Sequence, residues 1–395
     1  MRLKDISILT PQYTGKPLDT EVSFVPMESL RNGNIDLKEI PYKDAKGKYT
    51  FFENGDLLIA KVTPCFENGN IAIANNLKEG IGFGSSEIFV LRFNKNALNT
   101  YMFYVSQSAK FQDAACATMC GVGGLKRISP LFMKTYEIDM PSISEQQRIV
   151  EYLDEKTKAI DGRISVLEKK SDAYTRLKAS VINRAVTRGL NPNVTLKDSG
   201  IEWIGMIPEH WEIKRYKEFI TLQKGKTPKE LSYESVGLPY LTMDYLRDRD
   251  GKSTVYPESV EGLLEISANE IIVLWDGANA GEFIKSKAGY LGSTMALLLT
   301  KGISKNYLYY FLKSIERDSK YYSNGTTIPH FDSGILLNRE YPVPPYSEQQ
   351  AIANYLDAKC SEIDKAIENI DKQIDALNRL KRSLINEVVT GKRKV

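Results

Sequence analysis

The feature that most limits what this chain can fold into is the duplication of one long segment without a gap. Ser144-Glu145-Gln146-Gln147 recurs as Ser347-Glu348-Gln349-Gln350, 203 positions further on. From there the copies stay in step. Tyr152-Leu153-Asp154 matches Tyr355-Leu356-Asp357, Ile160-Asp161 matches Ile363-Asp364, and Asp172-Ala173 matches Asp375-Ala376. Arg176-Leu177-Lys178 matches Arg379-Leu380-Lys381, and Ile182-Asn183 matches Ile385-Asn386. Repetition at a fixed offset means that one structural unit is used twice. Neither copy has an internal Pro, and only the first has a Gly, at Gly162. Apolar residues return every seven positions: Leu153, Ile160, Leu167, Tyr174 and Val181 in the first copy, Leu356, Ile363, Ile370, Leu377 and Leu384 in the second. That period, sustained over several heptads, predicts a long helix with a seam for another helix. About 40 residues of helix span roughly 60 Å. Ser144 and Ser347 are read as N-caps, with Gln147 and Gln350 completing capping boxes behind Pro141 and Pro344-Pro345. Gly189 and Gly391 are read as the terminators. The stripe also fits a plain coiled-coil spacer, but two matched helices in one chain can pair with each other. Cys360 falls on the apolar face, which favours packing over reactivity.

The segments ahead of each helix repeat more faintly. Phe24-Val25-Pro26-Met27 resembles Tyr240-Leu241-Thr242-Met243, and Gly55-Asp56-Leu57-Leu58-Ile59 resembles Asn269-Glu270-Ile271-Ile272-Val273. The latter is a short apolar run entered from a turn, and so predicts a buried strand. Gly84-Ser85 echoes Gly292-Ser293, and Tyr101-Met102-Phe103-Tyr104 echoes Tyr307-Leu308-Tyr309-Tyr310, placed on a helix. Gly121-Val122-Gly123-Gly124 holds the place of Gly325-Thr326-Thr327. Residues 189 to about 211 contain Gly, Pro, Asn and Asp and read as a connector. Its Ile201-Glu202-Trp203-Ile204-Gly205 segment is too apolar for a free linker and is expected to pack on a neighbour. The linear order is therefore a globular domain (1–140), a helix with connector (141–211), a second globular domain (212–343) and a second helix (344–395). Helices held alike between diverged globular domains suggest a fixed scaffold carrying changed surfaces.

Composition sets bounds without deciding. A chain of 395 residues accommodates two or three domains. The N-terminus, Met1-Arg2-Leu3-Lys4-Asp5, lacks the apolar stretch of a signal peptide, and no run approaches the roughly 20 apolar residues of a membrane helix. A cytoplasmic location is expected. A net charge of +3 permits DNA binding but does not demand it, because a basic face can coexist with acidic ones. Cys65, Cys116, Cys120 and Cys360 show no paired spacing, and His210 and His330 are the two histidines; reduced, mostly buried thiols are expected and no metal site.

Catalytic signatures are missing. A methyltransferase would need an Asn/Asp-Pro-Pro-aromatic turn, but Asn191-Pro192-Asn193 lacks the second proline, and Pro344-Pro345-Tyr346 lacks the leading Asn or Asp. No GxxxxGK[ST] phosphate loop is present, and the lone Gly121–Gly124 cluster is a weak signal.

Domain order, the Ser-Glu-Gln-Gln-x-Ile opening of each helix and the connector Gly200-Ile201-Glu202-Trp203-Ile204-Gly205-Met206-Ile207-Pro208-Glu209-His210-Trp211-Glu212 together resemble the specificity subunit of type I restriction-modification systems. The resemblance covers essentially the whole chain. It implies an α+β protein with two mixed α/β target-recognition domains, separated by two long antiparallel coiled-coil helices in a pseudo-twofold internal repeat. It further implies that each domain reads half of a split DNA site, that the repeated helices dock two methyltransferase subunits, and that a restriction/translocase subunit joins the complex. The chain itself is then expected to bind no cofactor; S-adenosylmethionine, ATP and Mg belong to the partner subunits. The Trp-rich lead of the second domain has no counterpart ahead of Met1, so the first domain is expected to start abruptly at its first strand. Two readers on a rigid spacer can meet one DNA face when their separation matches a helical repeat of roughly 34 Å or a multiple of it.

Contacts to DNA must come from polar and basic residues on loops, where backbone contacts position and base contacts specify. The candidates in the first domain are Tyr13, Lys16, Lys61, Asn68, Asn70, Lys126 and Arg127; in the second they are Lys224, Lys226, Trp275, Asn279, Thr326, Thr327 and His330. Lys and Arg suit phosphates or guanine edges, and Asn suits adenine. Each also has the plain reading of a solvated surface residue or turn former. The alternatives to a DNA reader are a coiled-coil adaptor whose domains bind proteins and, third, an enzyme.

Overall fold

The computed structural model describes residues 1–15, 19–121, 124–202, 204–234, 237–248, 252–321, 323–324 and 330–395. Contacts divide the chain into two compact units, Met1–Lys169 with Ile370–Val395, and Lys170–Asn369. Each unit therefore takes one globular domain, one part of its own trailing helix and one part of the other helix.

In the first unit, β1 (Ser7–Leu9), β5 (Leu57–Ala60), β6 (Ile71–Ile73) and β8 (Ile88–Phe93) form an antiparallel sheet in the order β1-β8-β5-β6. A second sheet has the order β3-β2-β7-β4, from β2 (Glu21–Val25), β3 (Lys38–Pro41), β4 (Thr50–Glu53) and β7 (Ile81–Gly84). Its central pair, β2 and β7, is parallel, with Phe24 opposite Phe83. The uninterrupted apolar run of β5 is buried at every position. Such a run is stable as a strand only where both faces are covered. Part of the cover comes from α1 (Asn99–Gln107), which brings Tyr101, Met102 and Val105 into the same core. The start of the domain is covered as well. Met1 and Ile138 exchange backbone hydrogen bonds at 3.0 and 2.8 Å, and Leu3 N–H donates to the Tyr136 carbonyl at 3.0 Å. The domain thus opens not on a bare edge but on a ladder with the segment that leads into the helix.

The second unit repeats this plan. An antiparallel sheet has the order β10-β16-β13-β14, from β10 (Ile220–Lys224), β13 (Ile271–Leu274), β14 (Phe283–Lys285) and β16 (Met295–Thr300). A smaller sheet, β11-β15-β12, combines β11 (Tyr240–Leu241), β12 (Glu265–Ile266) and β15 (Gly289–Leu291), again with a parallel pair, β11 and β15. Here β9 (Glu212–Arg215) pairs with β17 (Glu340–Val343), and α3 (Lys305–Tyr321) holds the place of α1, bringing Tyr307, Leu308 and Phe311 into the core. The turn into β5 places Gly55 at φ +92°, and the matching turn into β13 places Asn269 at φ +65°. Asn is one of the few side chains that tolerate this left-handed region.

The duplicated segments form α2 (Ile143–Arg188, 46 residues) and α4 (Tyr346–Val389, 44 residues). Gly162 does not interrupt α2. In the first unit Arg148 and Ile149 share a cleft with Val388 to Gly391, Asp161 pairs with Lys381 at 2.7 Å, and Val166 and Leu167 share a groove with Gln373 and Leu377. Positions rise along α2 as they fall along α4, so the helices are antiparallel. In the second unit Lys178 pairs with Asp364 at 2.6 Å, Val181 and Ala185 lie with Tyr355, and Arg188 lies with Glu348 and Ala351. The order is again antiparallel. The two ion pairs are the same pair written twice, since Asp161 corresponds to Asp364 and Lys178 to Lys381. The predicted seam is internal: Leu153, Ile160, Leu356, Ile363, Ile370 and Leu384 are buried, and Leu167, Tyr174, Val181 and Leu377 are half-buried.

The capping prediction is corrected. Helix α2 starts at Ile143 and α4 at Tyr346, so Ser144 and Ser347 lie inside the first turn. Ser142 Oγ accepts from the Glu145 N–H at 3.3 Å, while the Pro345 carbonyl accepts from the N–H groups of Glu348 and Gln349. The first Gln of each pair has a different task. Gln146, fully buried, accepts the Leu98 N–H at 2.8 Å and donates to the carbonyls of Asn96 and Pro141. Gln349 likewise accepts the Ser304 N–H at 2.7 Å and donates to the Pro344 carbonyl at 2.9 Å. About two turns of helix further on, the Tyr104 hydroxyl donates to Asp154 at 2.6 Å, and the Tyr310 hydroxyl donates to Asp357 at 2.7 Å. Each domain is thus stapled to the start of its own helix by the same two contacts.

Candidate nucleic-acid interface

Both domains build one backbone frame at the end of their central strand. After β5, the Lys61 N–H donates to the Glu87 carbonyl and the Ile128 N–H donates to the Lys61 carbonyl. After β13, the Trp275 N–H donates to the Thr294 carbonyl and the Phe331 N–H donates to the Trp275 carbonyl. Bridges from Val62 to Arg127 and from Asp276 to His330 complete the match. Lys61 therefore stands where Trp275 stands, and Arg127 where His330 stands.

The side chains on this shared frame differ. In the first domain, the Arg127 guanidinium makes a two-pronged pair with Glu87, from Nε at 2.9 Å and from Nη2 at 3.0 Å. That pairing holds the Glu87 carboxyl below the usual carboxylate range and raises the guanidinium further. Lys61 Nζ donates to the Ser86 carbonyl at 2.6 Å and lies 4.8 Å from the Phe89 ring centroid. Burial lowers its ammonium below the ordinary lysine value, Glu87 opposes that shift, and Arg127 adds to it. Lys126 is exposed beside it, its backbone N–H donating to Thr63 Oγ1 at 2.9 Å. In the second domain the acid comes from the other side of the frame. Asp276 holds His330 Nδ1 at 2.6 Å and Lys224 Nζ at 3.5 Å, and that ammonium lies 5.1 Å from the Trp275 ring centroid.

Among the predicted contacts, the fold thus gathers Lys61, Lys126 and Arg127 in one domain and Lys224, Trp275 and His330 in the other. Asn279 follows in the turn after Trp275, and Asn68 lies exposed in the turn after Lys61. Lys226 is exposed next to β10, with its N–H bonded to the Leu291 carbonyl. One candidate is withdrawn from solvent: Asn70 is 6 % exposed. Tyr13 is half-buried, its ring packing at 5.6 and 5.1 Å from those of Tyr42 and Phe51. Lys16, Thr326 and Thr327 lie outside the described residues. Sequence reasoning missed Glu87 and Asp276, the carboxylates that aim the basic groups; the available signal was an acid next to the end of a buried apolar strand.

Among the described residues no group of three His, Cys, Asp or Glu side chains could hold a metal ion, and no helix is long and apolar enough to cross a membrane. All four cysteines are free.

A family model for the type I restriction modification DNA specificity domain matches residues 4–169 and 208–379. The chain is 38% identical over 188 residues to the type I restriction enzyme MjaVIII specificity subunit of Methanocaldococcus jannaschii, covering 47% of this chain and 43% of that protein. This chain therefore spans less than half the length of that relative. The putative type I restriction enzyme MjaX specificity subunit of the same organism is 24% identical over 415 residues, covering 100% of this chain and 93% of that protein. A chain solved in work on complex assembly and conformational transition of the type I R-M system is similar in fold, with a TM-score of 0.71 and 18% identity over 98% of this chain and 96% of that one.

Proposed function

This chain belongs to the type I restriction modification DNA specificity family, and on that premise we propose that it is the non-catalytic DNA-reading subunit of a type I restriction-modification complex. Each globular domain reads one half of a bipartite, asymmetric double-stranded target. The observation that carries this reading is the shared frame at the end of β5 and β13, identical in backbone pairing and different in exposed chemistry, Lys61 with Arg127 and Glu87 against Trp275 with His330 and Asp276. Fixed backbone with changed donors and acceptors is what reading two unlike half-sites requires.

The helices supply the rest. Their buried seams close on the chain itself, and the repeat leaves Leu177 and Leu380, at equivalent positions, 48 % and 55 % exposed. Two equivalent exposed leucines fit two copies of one partner, the methyltransferase subunit, with restriction/translocase subunits joining that assembly. S-adenosylmethionine, ATP and Mg act in those partners, and methyl transfer and cleavage are carried out there in the cytoplasm. Helix length sets the gap between the half-sites.

Reconstitution with the methyltransferase subunit tests this. Size-exclusion with mass measurement is expected to give two methyltransferase copies per chain that bind duplex DNA, and Leu177→Asp is expected to leave one. A one-to-one complex with the unaltered chain contradicts the reading.

A further inference from the structure

The arm that leads into Arg127 is held more tightly than an exposed loop requires. Arg127 and Cys120 exchange backbone hydrogen bonds at 2.9 and 3.1 Å, and the Thr63 N–H donates to the Lys126 carbonyl at 3.0 Å. The buried Thr63 hydroxyl donates to the Gly124 carbonyl at 2.8 Å and accepts the Lys126 N–H at 2.9 Å. One side chain thus fixes both the residue before Leu125 and the residue after it. Gly121 completes the fit, because a Cβ there would lie 2.2 Å from the Leu125 carbonyl oxygen.

Leu125, at the centre of this clamp, is 48 % exposed. A single exposed leucine is ordinary on a protein surface. One pinned on both sides, next to Lys126 and Arg127 on the recognition frame, has a defined direction and defined company. The chain from Lys126 to Ile128 runs extended against Lys61 to Thr63, and extended chain alternates its faces. Ile128 turns into the core and Arg127 turns outwards, so Leu125, two positions before Arg127, falls on the outward face beside it. Counted back from His330 as Leu125 is from Arg127, the second domain has Ile328, another branched apolar residue, which lies outside the described residues.

We propose that Leu125 is a specificity-determining residue that reads a thymine, through its 5-methyl group, in the half-site of the first domain. This rests on the DNA-reading role proposed above. Base edges in the major groove present donors and acceptors, and the thymine methyl is the one apolar group among them. A leucine side chain has nothing to donate or accept, so that methyl is the group it selects. Arg127, aimed by Glu87, turns its remaining N–H groups to guanine O6 and N7 from the same face. Side chains two positions apart on extended chain are about 7 Å apart, and bases stack at roughly 3.4 Å. The thymine therefore lies within about two base pairs of the guanine that Arg127 contacts.

The test replaces thymidine by deoxyuridine, one position at a time, through the target that mapping of modified sites yields. Affinity is measured for the chain reconstituted with its methyltransferase subunit. Deoxyuridine removes the methyl and leaves base pairing intact. One replacement, in one half-site and near a guanine, is expected to weaken binding about fourfold, the worth of burying one methyl-sized group. Leu125→Ala should bind the thymine duplex more weakly by at least as much and become indifferent to that replacement, so that the two changes together cost no more than Leu125→Ala alone. Replacements in the other half-site should act alike on both chains. Leu125 is exposed, and an unchanged melting temperature confirms that the variant folds. The proposal is overturned if no replacement weakens binding, if Leu125→Ala keeps full sensitivity to every replacement, or if it loses as much affinity for random duplex as for the target. Each of those results leaves the DNA-reading role standing; an unaltered complex that does not prefer its target over random duplex removes the role and the proposal together.

Discussion

Arg127 and His330 occupy one position of a repeated frame, yet each is held by a carboxylate from a different strand end, Glu87 ahead of β8 and Asp276 after β13. An arginine clamped at Nε and Nη2 presents its remaining N–H groups in a fixed direction, which is what base discrimination needs; a free side chain samples many and is better suited to phosphate. Glu87→Gln and Asp276→Asn should therefore leave total DNA affinity nearly unchanged while relaxing one half-site each. A bidentate base contact is worth about 1–3 kcal/mol of discrimination, so methylation at targets mismatched in the affected half should rise about tenfold, read by sequencing modified sites on a random library. Uniform loss across all sites would place these residues in the support of the fold. At this scale the sequence showed the basic residues but not what orients them. Lys126-Arg127 and His330 stand out by type, whereas Glu87 and Asp276 are ordinary surface acids until register brings them within 3 Å of their partners. Asn70 failed as a surface candidate for the complementary reason: a polar residue in a turn is not exposed when the chain folds back over it.

The two long helices were the most legible elements, because a seven-residue period over several heptads admits few other structures. Their ends were less so. Serine ahead of an acidic turn reads as a cap, but Pro141 and the Pro344-Pro345 pair start each helix one residue earlier than Ser144 and Ser347. The glycine echo was also one residue out: Ile88 donates to the Ser85 carbonyl and Met295 to that of Gly292, so Gly292 matches Ser85 rather than Gly84. Nothing local announces the role of Gln146 and Gln349, since their partners, Leu98 with Asn96 and Ser304, lie about 45 to 50 positions upstream. Gln146→Leu leaves the half-buried Leu98 N–H without its acceptor, at about 1–3 kcal/mol for one unsatisfied group. Thermal unfolding should show the loss, and Gln349→Leu should cost a similar amount through Ser304. Equal stability of either variant with the unaltered chain would show that the staple does not hold domain to helix. The Tyr104 and Tyr310 hydroxyls reinforce it, since burial and their carboxylate partners push both phenols above the ordinary tyrosine range and keep them protonated as donors.

For the whole molecule the informative quantity is the contrast between what is repeated and what is not. Ion pairs, amide staples and tyrosine–aspartate bonds recur residue for residue in the two units. The exposed groups on the β5 and β13 frames do not. A homodimer of one reader would demand a palindrome, whereas one chain with two unlike readers demands two unlike half-sites. The most direct test is genome-wide mapping of modified bases in a host expressing this chain with its methyltransferase subunit, against the same host without it. The account predicts one new motif that depends on this chain, made of two different specified halves around a gap of fixed length. A palindromic or uninterrupted motif, or a modification pattern unchanged by removal of the chain, would contradict it.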